Sequence, residues 1–395
     1  MRANIFLVAA EESGDRLGAA LIARIKQRTS GQAQFSCVGG PHMAAENVPS
    51  LFPLGELGLI GFAGIPSRLP RIFRRIRETA DAIVAAKADA LVIIDSPEFT
   101  HRVARRVRAR APDIPIINYV CPSVWAWRPG RARAMRAYVD HVLALFPFEP
   151  KIMRELGGPP CSYVGHPLVE HLDNLRPKDR DKRMGLSDPP LLLVLPGSRT
   201  GEVRRLAPVF GQALDRVTTQ FGPIKVIVPV VHRLADTVRS AIAEWRIPAH
   251  TVIDIEEKNA AFRTARAALT KSGTSTLELA LAGVPMVAAY KVPLIEELAA
   301  RLLINVPSVI LANLALGENV VPEFLQRDCT PERLAGALLP LLVDTPERQR
   351  QVDAFGRLDA IMEVGQANPS ERAADLVLDC VSRRRQQARE KAALA

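Results

Sequence analysis

Asp95 is the residue of this chain best placed to remove a proton from a substrate. It directly follows the apolar run Ala90–Ile94, which has the pattern of a buried β-strand. A carboxylate at such a strand end is partly removed from water, and its pKa can then suit a general base. Glu11, just after the apolar run Asn4–Ala9, is a second candidate for this role. An acidic residue that only caps the next turn would show the same pattern.

The segment LPGSRTGE, from Leu195 to Glu202, could hold a diphosphate. Gly197 and Ser198 can present backbone N–H groups, and Arg199 adds a fixed cation. This combination suits a leaving group whose negative charge grows as a bond breaks. The segment is not a Walker loop, because GxxxxGK[ST] is absent from it. A simple strand-to-helix turn is the alternative.

A second anion-binding pattern is KSGTSTLE, which ends at Glu278. Ser272, Gly273 and Thr274 stand where an amphipathic helix begins, and small residues there form an anion nest. Glu278 lies one helical turn past Thr274 on the same face, where its carboxylate can accept the hydroxyls of a ribose. A nest followed by such a carboxylate indicates a nucleotide-sugar site, with a capped helix and an incidental Glu as the alternative.

Two segments of the first half are suited to a sugar or an acyl chain. In AAEESGD, Ser13 and Gly14 open a helix, and the acids beside them favour sugar hydroxyls over phosphate. In CPSVWAWR, Ser123, Trp125 and Trp127 could wall a pocket for a sugar face or an acyl chain. A plain N-cap and an aromatic plug under a loop remain the alternatives.

The stretch Leu57–Ile76 has the pattern of a helix that lies in a membrane interface. One helical face carries Ile65, Leu69, Ile72, Phe73 and Ile76, and arginines crowd the other sides, as expected for contact with lipid and anionic headgroups. A core-facing helix with a basic outer side would have the same period. The predicted membrane patch consists of Leu59, Ile60, Phe62, Ile65, Leu69, Ile72 and Phe73.

Composition limits the classes of partner. The net charge of +10 favours polyanions, but aromatic residues make up only 5% of the chain, too few for a platform that stacks nucleic-acid bases. Five scattered cysteines and seven histidines show no metal-ligand spacing, so we expect no metal and no other cofactor. No apolar run reaches the roughly 18 residues of a spanning helix, and the first ten residues read as a strand, so we expect a cytoplasmic protein.

Strands that alternate with helices position these segments, and this alternation predicts an α/β fold with two Rossmann-like domains. Ligands of such sheets lie at the carboxyl ends of strands, so we expect the segments above to line a cleft between the domains. The predicted parts are 1–173 on the acceptor and membrane side, a linker at 174–189, a donor-binding domain at 190–365, and 366–395. The last part is predicted as a helix with a basic tail, either packed back on the chain or exchanged in a dimer.

The predicted elements follow the apolar runs of the sequence. The helices include Arg16–Lys26, Arg102–Arg110, Val203–Phe221 and Ser275–Ala282. The strands are Asn4–Ala9, Ala90–Asp95, Pro115–Val120, His141–Phe146, Leu191–Leu195, Lys225–Val231, Thr251–Ile255, Ala267–Leu269 and Pro285–Ala289.

Taken together, these segments resemble the lipid-A-disaccharide synthase family, inverting glycosyltransferases of the two-Rossmann-domain GT-B architecture. The resemblance extends from about Asn4 to about Ala373. The matching strings are AAEESGDRLGA, GGPHM, IDSPEF, CPSVWAWR, LALFPFE, VGHPL, LPGSRTGEV, KSGTSTLELAL and Ala312-Asn313-Leu314.

The resemblance implies a reaction and a set of roles. Its donor would be UDP-2,3-diacylglucosamine, and its acceptor would be 2,3-diacylglucosamine 1-phosphate, called lipid X. The acceptor's 6-hydroxyl would attack the donor's anomeric carbon without a metal, giving UDP and a β-1,6 disaccharide for lipid A. Asp95 matches the catalytic carboxylate, Arg199 an arginine near the donor phosphates, and Asn313 an asparagine linked to activity. Residues 272–274 and Glu278 match the UDP-binding segment.

The resemblance also implies a location. The stretch Leu57–Ile76 matches a lipid-facing patch, so we expect peripheral binding to the cytoplasmic face of the inner membrane, and a homodimer is suggested. This chain has Lys271 where family members have Ala, which changes the charge beside the nest. Two other hypotheses are another UDP-GlcNAc glycosyltransferase or epimerase of the same architecture, and a basic nucleic-acid or membrane-surface module. The last leaves the strand-end segments unexplained.

Overall fold

A computed structural model of the chain describes residues 2–57, 69–177, 188–293, 297, 308–366 and 368–394. The chain forms two compact units. One comprises Met1–Pro167 together with Gly365–Ala395, and the other comprises Leu168–Val364. The chain therefore passes from the first unit into the second and returns to the first at its end. Most of the predicted linker, residues 178–187, lies outside the described residues.

The first unit is built on a parallel sheet. In the described ranges its strands are β1 Asn4–Ala9, β2 Gln34–Val38, β3 Ala90–Ile94, β4 Ile116–Tyr119, β5 His141–Ala144 and β6 Cys161–Tyr163. They lie in the order β2-β1-β3-β4-β5-β6. Every residue of β3 and β4 is buried, because helices cover both faces of a parallel sheet.

The second unit repeats this plan. Its described strands are β7 Leu191–Leu195, β8 Lys225–Pro229, β9 His250–Val252, β10 Ala267–Lys271, β11 Met286–Tyr290 and β12 Glu323–Leu325. They lie in the order β12-β11-β10-β7-β8-β9, and all neighbours are parallel. A separate apolar core packs against this sheet, centred on residues such as Val194, Phe210 and Leu269.

Helices connect the strands of both sheets. In the first unit they are α1 Glu12–Arg28, α2 Pro41–Ala45, α3 Leu69–Ala85, α4 Pro97–Arg110, α5 Gly130–Met135 and α6 Glu149–Glu155. In the second unit they are α7 Leu172–Leu175, α8 Thr200–Phe221, α9 Ala235–Ile242, α10 Ile255–Thr264, α11 Thr274–Ala282, α12 Leu311–Leu316, α13 Pro331–Leu342 and α14 Pro346–Ile361. The last helix, α15 Pro369–Leu394, belongs to the first unit. None of the helices in the described part is long and apolar enough to cross a membrane.

Helix α15 packs against α1 of the same chain. Ala373, Ala374 and Val377 are fully buried along it. Asp375 pairs with Arg28 of α1 at 2.9 Å between carboxylate oxygen and guanidinium nitrogen. Part of the basic tail is also paired within this unit, since Arg384 binds Asp113 and Arg385 binds Asp89.

The predicted fold class is confirmed, and the differences from prediction are local. Ile255, predicted to end a strand, is instead the first residue of α10, because the Asp254 carboxylate accepts the N–H groups of Glu256 and Glu257 and caps a helix there. Three short edge strands, β2, β6 and β12, are not among the predicted strand ranges. Each is three to five residues long, and their residues are mostly only half-buried, so the apolar pattern is weak.

Candidate functional site

The strands β1, β3 and β4 end level with one another. Ala9 is paired with Ile94, and Ile94 with Tyr119, so the chain leaves the sheet at one edge after each of them. Asp95 follows β3 directly, with φ of +50°. Ser96, which comes next, has φ of +44°. Left-handed backbone in such residues costs about 1–3 kcal/mol each and is typical of functional sites.

Asp95 is half-buried at this edge. Burial raises the pKa of its carboxyl, although a backbone hydrogen bond from Ser96 acts in the opposite direction. The hydroxyl of Thr100 donates to the Asp95 carbonyl at 2.6 Å and so holds the strained turn. The raised pKa and the fixed backbone keep Asp95 a candidate for the general base, and that role stays a prediction.

A buried chain of hydrogen bonds holds the neighbouring strand end. Val120, a β-branched residue, has φ of +79°, which is rare for its type. The Asn118 amide donates to the Val120 carbonyl at 2.9 Å, and its oxygen lies 3.1 Å from Nε2 of His101. The hydroxyl of Tyr138 lies 3.1 Å from Nδ1 of His101. Burial lowers the pKa of His101 to about 4, so this ring is neutral at physiological pH.

The segment after β1 divides into exposed and buried residues. Glu11 and Ser13 are exposed, so both side chains are accessible to a substrate. Gly14 was predicted to bind substrate, but it is buried where a Cβ atom would lie 3.1 Å from Ala9 and 3.3 Å from the carbonyl oxygen of Ile94. The missing side chain allows close packing of α1 on the sheet, and substrate binding by Gly14 through its backbone stays a prediction.

Asp15, the next residue, holds the loop that precedes α2. It is fully buried, and its carboxylate accepts the backbone N–H groups of Gly40 at 2.7 Å, His42 at 2.9 Å and Met43 at 3.1 Å. Cβ atoms at Gly39 and Gly40 would contact this carboxylate, the second at 2.7 Å. Asp15 therefore connects two segments of the predicted motifs, although its burial removes it from direct contact with a ligand.

The aromatic segment after β4 is anchored by a buried carboxylate. Trp125 Nε1–H donates to Glu149 at 3.3 Å, and its ring packs edge-on against Phe148 with centroids 5.6 Å apart. The other Glu149 oxygen accepts the N–H groups of Leu145 and Phe146, each at 3.0 Å. Burial raises the pKa of Glu149 to about 7, against the opposing effect of these hydrogen bonds.

Trp127 is stacked against cations. Arg128 and Arg131 lie over its ring, at 4.5 and 5.5 Å from the centroid. Glu98 accepts from Arg131 at 2.8 Å. Burial acts to raise the pKa of Glu98, but the hydrogen bond from Arg131 acts in the opposite direction, and the net result is a lowered pKa. Ser123 is exposed nearby in sequence, so the segment presents a hydroxyl, an indole face and two guanidinium groups.

The predicted membrane patch is only partly described. Leu59, Ile60, Phe62 and Ile65 lie outside the described residues, and Leu69 begins α3. Phe73 is 49% exposed. Ile76, placed by the sequence on the same lipid-facing side, is instead buried in the core, and Ile72 packs partly against that core. The periodicity of α3 therefore reflects core packing at these two positions, and Phe73 points outward.

In the second unit, a buried carboxylate occupies the loop after β7. Glu202 is 4% exposed, and its Oε2 accepts the backbone N–H of Ser198 at 2.9 Å and that of Arg199 at 3.3 Å. A Cβ atom on Gly197 would lie 2.7 Å from this oxygen. The predicted use of the Ser198 N–H by a phosphate is therefore corrected, because Glu202 already accepts it. Gly197 makes room for the carboxylate. The Arg199 side chain is exposed and stays a candidate for binding an anion.

The nest after β10 keeps some of its predicted members. Gly273 is the N-cap residue of α11, and Thr274, the first residue of the helix, is exposed. Ser272 is buried, its N–H donates to the Ala289 carbonyl at 2.9 Å, and its hydroxyl donates to the Val309 carbonyl at 3.1 Å. Ser272 thus joins the nest to neighbouring segments and has no hydrogen left to donate to an anion, which corrects its predicted role.

Glu278 lies on α11 with a cation beside it. Its Oε1 accepts from Lys258 Nζ of α10 at 2.5 Å, and the Glu278 side chain is 16% exposed. One carboxylate oxygen is therefore already paired, and the other is the better candidate for ribose hydroxyls. No sequence pattern pointed to Lys258, because it lies on a different helix.

Asn313 was predicted to bind substrate, but it is 2% exposed and paired with its own unit. Its amide oxygen accepts the N–H groups of Val320 and Val321, and its amide nitrogen donates to the Val321 carbonyl at 3.0 Å and to Ser308 at 3.3 Å.

Ser308 in turn donates to Glu323 at 3.1 Å, and that carboxylate also accepts the N–H of Val309. Since the Val309 carbonyl accepts from Ser272, Asn313 is connected to the nest through this segment. In this structure the Asn313 side chain holds backbone groups of its own unit, and its link to activity stays a prediction.

Within the described ranges, no three His, Cys, Asp or Glu side chains are grouped so that they could hold a metal ion. His166 is buried against Phe146, with ring centroids 5.6 Å apart. Burial lowers the pKa of His166 to about 4.

Comparison with known sequences gives one family. The model of the family described as lipid-A-disaccharide synthetase matches residues 5–377. The lipid-A-disaccharide synthase of Nitrobacter hamburgensis is 57% identical over 376 residues, which cover 95% of each chain. That of Bradyrhizobium diazoefficiens is 58% identical over 375 residues, covering 95% of this chain and 96% of its own.

Comparison with solved structures gives the fold. UDP-GlcNAc 2-epimerase from Neisseria meningitidis, bound to UDP-GlcNAc, matches with a TM-score of 0.58 at 11% identity, covering 97% of this chain and all of its own. Acinetobacter baumannii MurG matches with a TM-score of 0.58 at 15% identity, covering 95% and 99%. At these identities the likeness shows the shared two-unit α/β fold alone.

Proposed function

The chain belongs to the lipid-A-disaccharide synthase family, and from this membership we propose how its residues make the lipid A disaccharide. The enzyme is a hexosyltransferase. It transfers 2,3-diacylglucosamine from UDP-2,3-diacylglucosamine to the 6-hydroxyl of 2,3-diacylglucosamine 1-phosphate and releases UDP. The observation that supports this function most is the family match over residues 5–377, at 57% identity to one relative.

Asp95 is proposed as the general base. The acceptor's 6-hydroxyl oxygen forms a bond to the donor's anomeric carbon, its proton passes to the carboxylate, and the bond to the diphosphate breaks with its electron pair leaving on UDP. Burial raises the Asp95 pKa, and the strained backbone at residues 95 and 96 fixes the carboxylate, which suits proton abstraction. Glu11, exposed after β1, is the rival for this role.

The second unit is proposed to bind UDP. Arg199 and the N-terminal end of α11 at Gly273 and Thr274 would contact the diphosphate, where a fixed cation and free N–H groups stabilise developing charge. Glu278 would accept the ribose hydroxyls, with Lys258 holding its carboxylate in place. Asn313 would act indirectly, through the segment that holds Ser272.

Exposed and half-buried groups of the first unit are proposed to bind the sugar acceptor. Ser13, Ser123, Trp125 and Trp127 are the candidate contacts, because an indole face packs well against a sugar ring or an acyl chain. The buried bond from Trp125 to Glu149 would fix one indole.

Peripheral binding to the cytoplasmic face of the inner membrane is also proposed. Arg71, Arg74 and Arg77 are exposed on α3 beside Phe73, and α4, which packs against α3, exposes further arginines. Cations around an exposed aromatic ring suit an anionic lipid surface. The homodimer stays a prediction, and light scattering of the purified enzyme would test it.

The experiment that tests the reaction is a product assay. Purified protein is incubated in detergent and EDTA with both acylated substrates, beside an Asp95→Ala variant. We expect disaccharide and UDP in equal amounts from the wild type and neither from the variant. A folded wild type that binds UDP but forms no disaccharide would contradict the proposed reaction.

A further inference from the structure

Lys271 is the last residue of β10, and its side chain folds over the loop that follows. A Cβ atom built on Gly273 would lie 3.0 Å from Nζ, so the ammonium lies beside the nest backbone. Thr270 is paired with Leu195 of β7, which brings the loop Gly197–Arg199 to the same edge of the sheet. Within this one unit, the ammonium therefore lies between the two segments predicted to hold the donor.

The surroundings of this ammonium fix its position. Nζ lies 3.1 Å from Oε1 of Glu202 and 5.4 Å from the ring centroid of Tyr290. The Lys271 side chain is 20% exposed and that of Glu202 is 5% exposed. In the described chain, Glu202 is the oxygen partner of this ammonium, which has three N–H donors in all. Donors therefore remain for a ligand on its exposed side.

The two oxygens of Glu202 have different partners. Oε2 accepts the N–H groups of Ser198 and Arg199, while Oε1 is the one beside Lys271. The carboxylate thus ties the loop after β7 to the cation after β10. Because it occupies the loop's N–H groups, a phosphate at this place must be bound mainly by side-chain cations.

We propose that Lys271 binds the diphosphate of the UDP-sugar donor beside Arg199, and that Glu202 positions the ammonium for this contact. The inference rests on the proposed function, which supplies the diphosphate. When the bond from the anomeric carbon to the diphosphate breaks, its electron pair passes to the diphosphate oxygen and UDP gains one negative charge. A fixed ammonium stabilises that charge without transferring a proton. Its effect is therefore larger on UDP than on the intact donor.

Binding calorimetry on the full-length protein tests this contact, with UDP and uridine as the two probes. Lys271→Met keeps the length of the side chain and removes its charge. We expect it to weaken UDP binding about 10- to 100-fold, the size of a charged hydrogen bond, and to leave uridine binding within about twofold. Lys271→Arg should retain most of the UDP affinity. Lys225→Met, at the exposed first residue of β8, is the matched control and should change neither.

Two further variants separate ligand binding from loop packing. Glu202→Gln keeps an acceptor for the loop N–H groups and removes the charge that positions the ammonium, so UDP affinity should fall, by up to about fivefold and by less than in Lys271→Met. Glu202→Gln with Lys271→Met removes the pair together, avoids a lone buried charge, and should lose as much UDP affinity as Lys271→Met alone. Unchanged UDP binding in Lys271→Met, or equal losses for UDP and uridine, would overturn the inference.

The outcomes also separate this inference from the proposed function. A wild type that binds neither UDP nor the UDP-sugar donor contradicts the function itself. If the wild type binds UDP and forms disaccharide, and Lys271→Met does both equally well, only the proposed role of Lys271 is contradicted.

Discussion

The ammonium of Lys258 lies 2.5 Å from Oε1 of Glu278, which is twenty positions further along the chain. The two residues belong to neighbouring helices of the second unit, α10 and α11. Both side chains are mostly buried, with 26% and 16% exposed. The pair therefore fixes one oxygen of the carboxylate that we assign to the ribose, and leaves the other for hydroxyl groups.

The first prediction concerns this carboxylate. In Glu278→Gln, the ratio of affinities for UDP and 2′-deoxy-UDP should fall by about tenfold or more. The reason is that an ionised carboxylate accepts a hydrogen bond from a hydroxyl more strongly than an amide oxygen does. Lys258→Met should reduce the same preference, since the carboxylate is no longer held. Competition binding with the two nucleotides measures it. Glu256→Gln, exposed on α10, is the control, and a Glu278→Gln variant with an unchanged preference would refute the assignment.

The second prediction concerns the base. Asp95→Asn should lower kcat by about 100- to 10,000-fold with little change in UDP affinity, because the amide cannot take a proton. Since burial raises the Asp95 pKa, the wild-type kcat/KM should rise with pH through a value above that of an ordinary aspartate. Rate measurements across acidic to neutral pH would show this limb. If Glu11→Gln abolishes turnover while Asp95→Asn retains it, Glu11 is the base.

The sequence predicted the sheets and the strand-end segments well, because buried parallel strands are unbroken apolar runs. It could not predict which polar groups would pair with one another. Gly197 and Ser198 have the composition of an anion loop, yet the Glu202 carboxylate fills it. That contact depends on how the first turn of α8 folds back, although a Glu three residues after the N-cap residue is a known capping signal.

The same limit applies to α3, where one period fits two environments. Ile76 and Phe73 are three residues apart, yet one is buried in the core and the other is 49% exposed. Hydrophobic spacing alone cannot decide between lipid and protein as the covering surface. Asn313 shows the reverse case, since an asparagine linked to activity by resemblance is fully engaged in holding backbone groups.

The third prediction concerns the membrane surface. Phe73→Ser should weaken binding to lipid vesicles without loss of fold, because the ring is exposed. Arg71→Ala and Arg77→Ala should each weaken binding to anionic vesicles by about fivefold, roughly 1 kcal/mol per cation, and leave neutral vesicles unaffected. Co-sedimentation with vesicles of both kinds measures this.

Arg246→Ala, an exposed cation of the second unit, provides the control for lost charge. Equal losses from Arg246→Ala and Arg77→Ala would mean that net charge, and not this surface, attracts the membrane.

The fourth prediction concerns Glu149. Its pKa is raised to about 7 in the folded protein, so ionisation of this buried group costs stability as pH rises from the unfolded value near 4.5 toward 7. The penalty is absent below that range and amounts to about 3 kcal/mol above it. Glu149→Gln should therefore lose less stability than wild type between pH 5 and 8.

Denaturant unfolding followed by tryptophan fluorescence measures the change with pH. The quantity compared is the slope of stability against pH. Absolute stability is not compared, because the amide of the Glu149→Gln variant cannot accept hydrogen bonds from all three N–H groups that face Glu149. Glu155→Gln, exposed on the same helix, should follow the wild-type slope. Parallel slopes for Glu149→Gln and wild type would show that the carboxyl titrates normally.

Because the chain returns to its first unit, the two units are completed in a fixed order during translation. Helix α15 covers α1 with Ala373, Ala374 and Val377, yet some 200 residues of the second unit are translated before it, as residues 168–364. A nascent chain on the ribosome can complete the second unit while the first still lacks the helix that packs on α1. Translation thus finishes the second unit first, and the first unit, in which we propose the base, becomes whole only when α15 emerges.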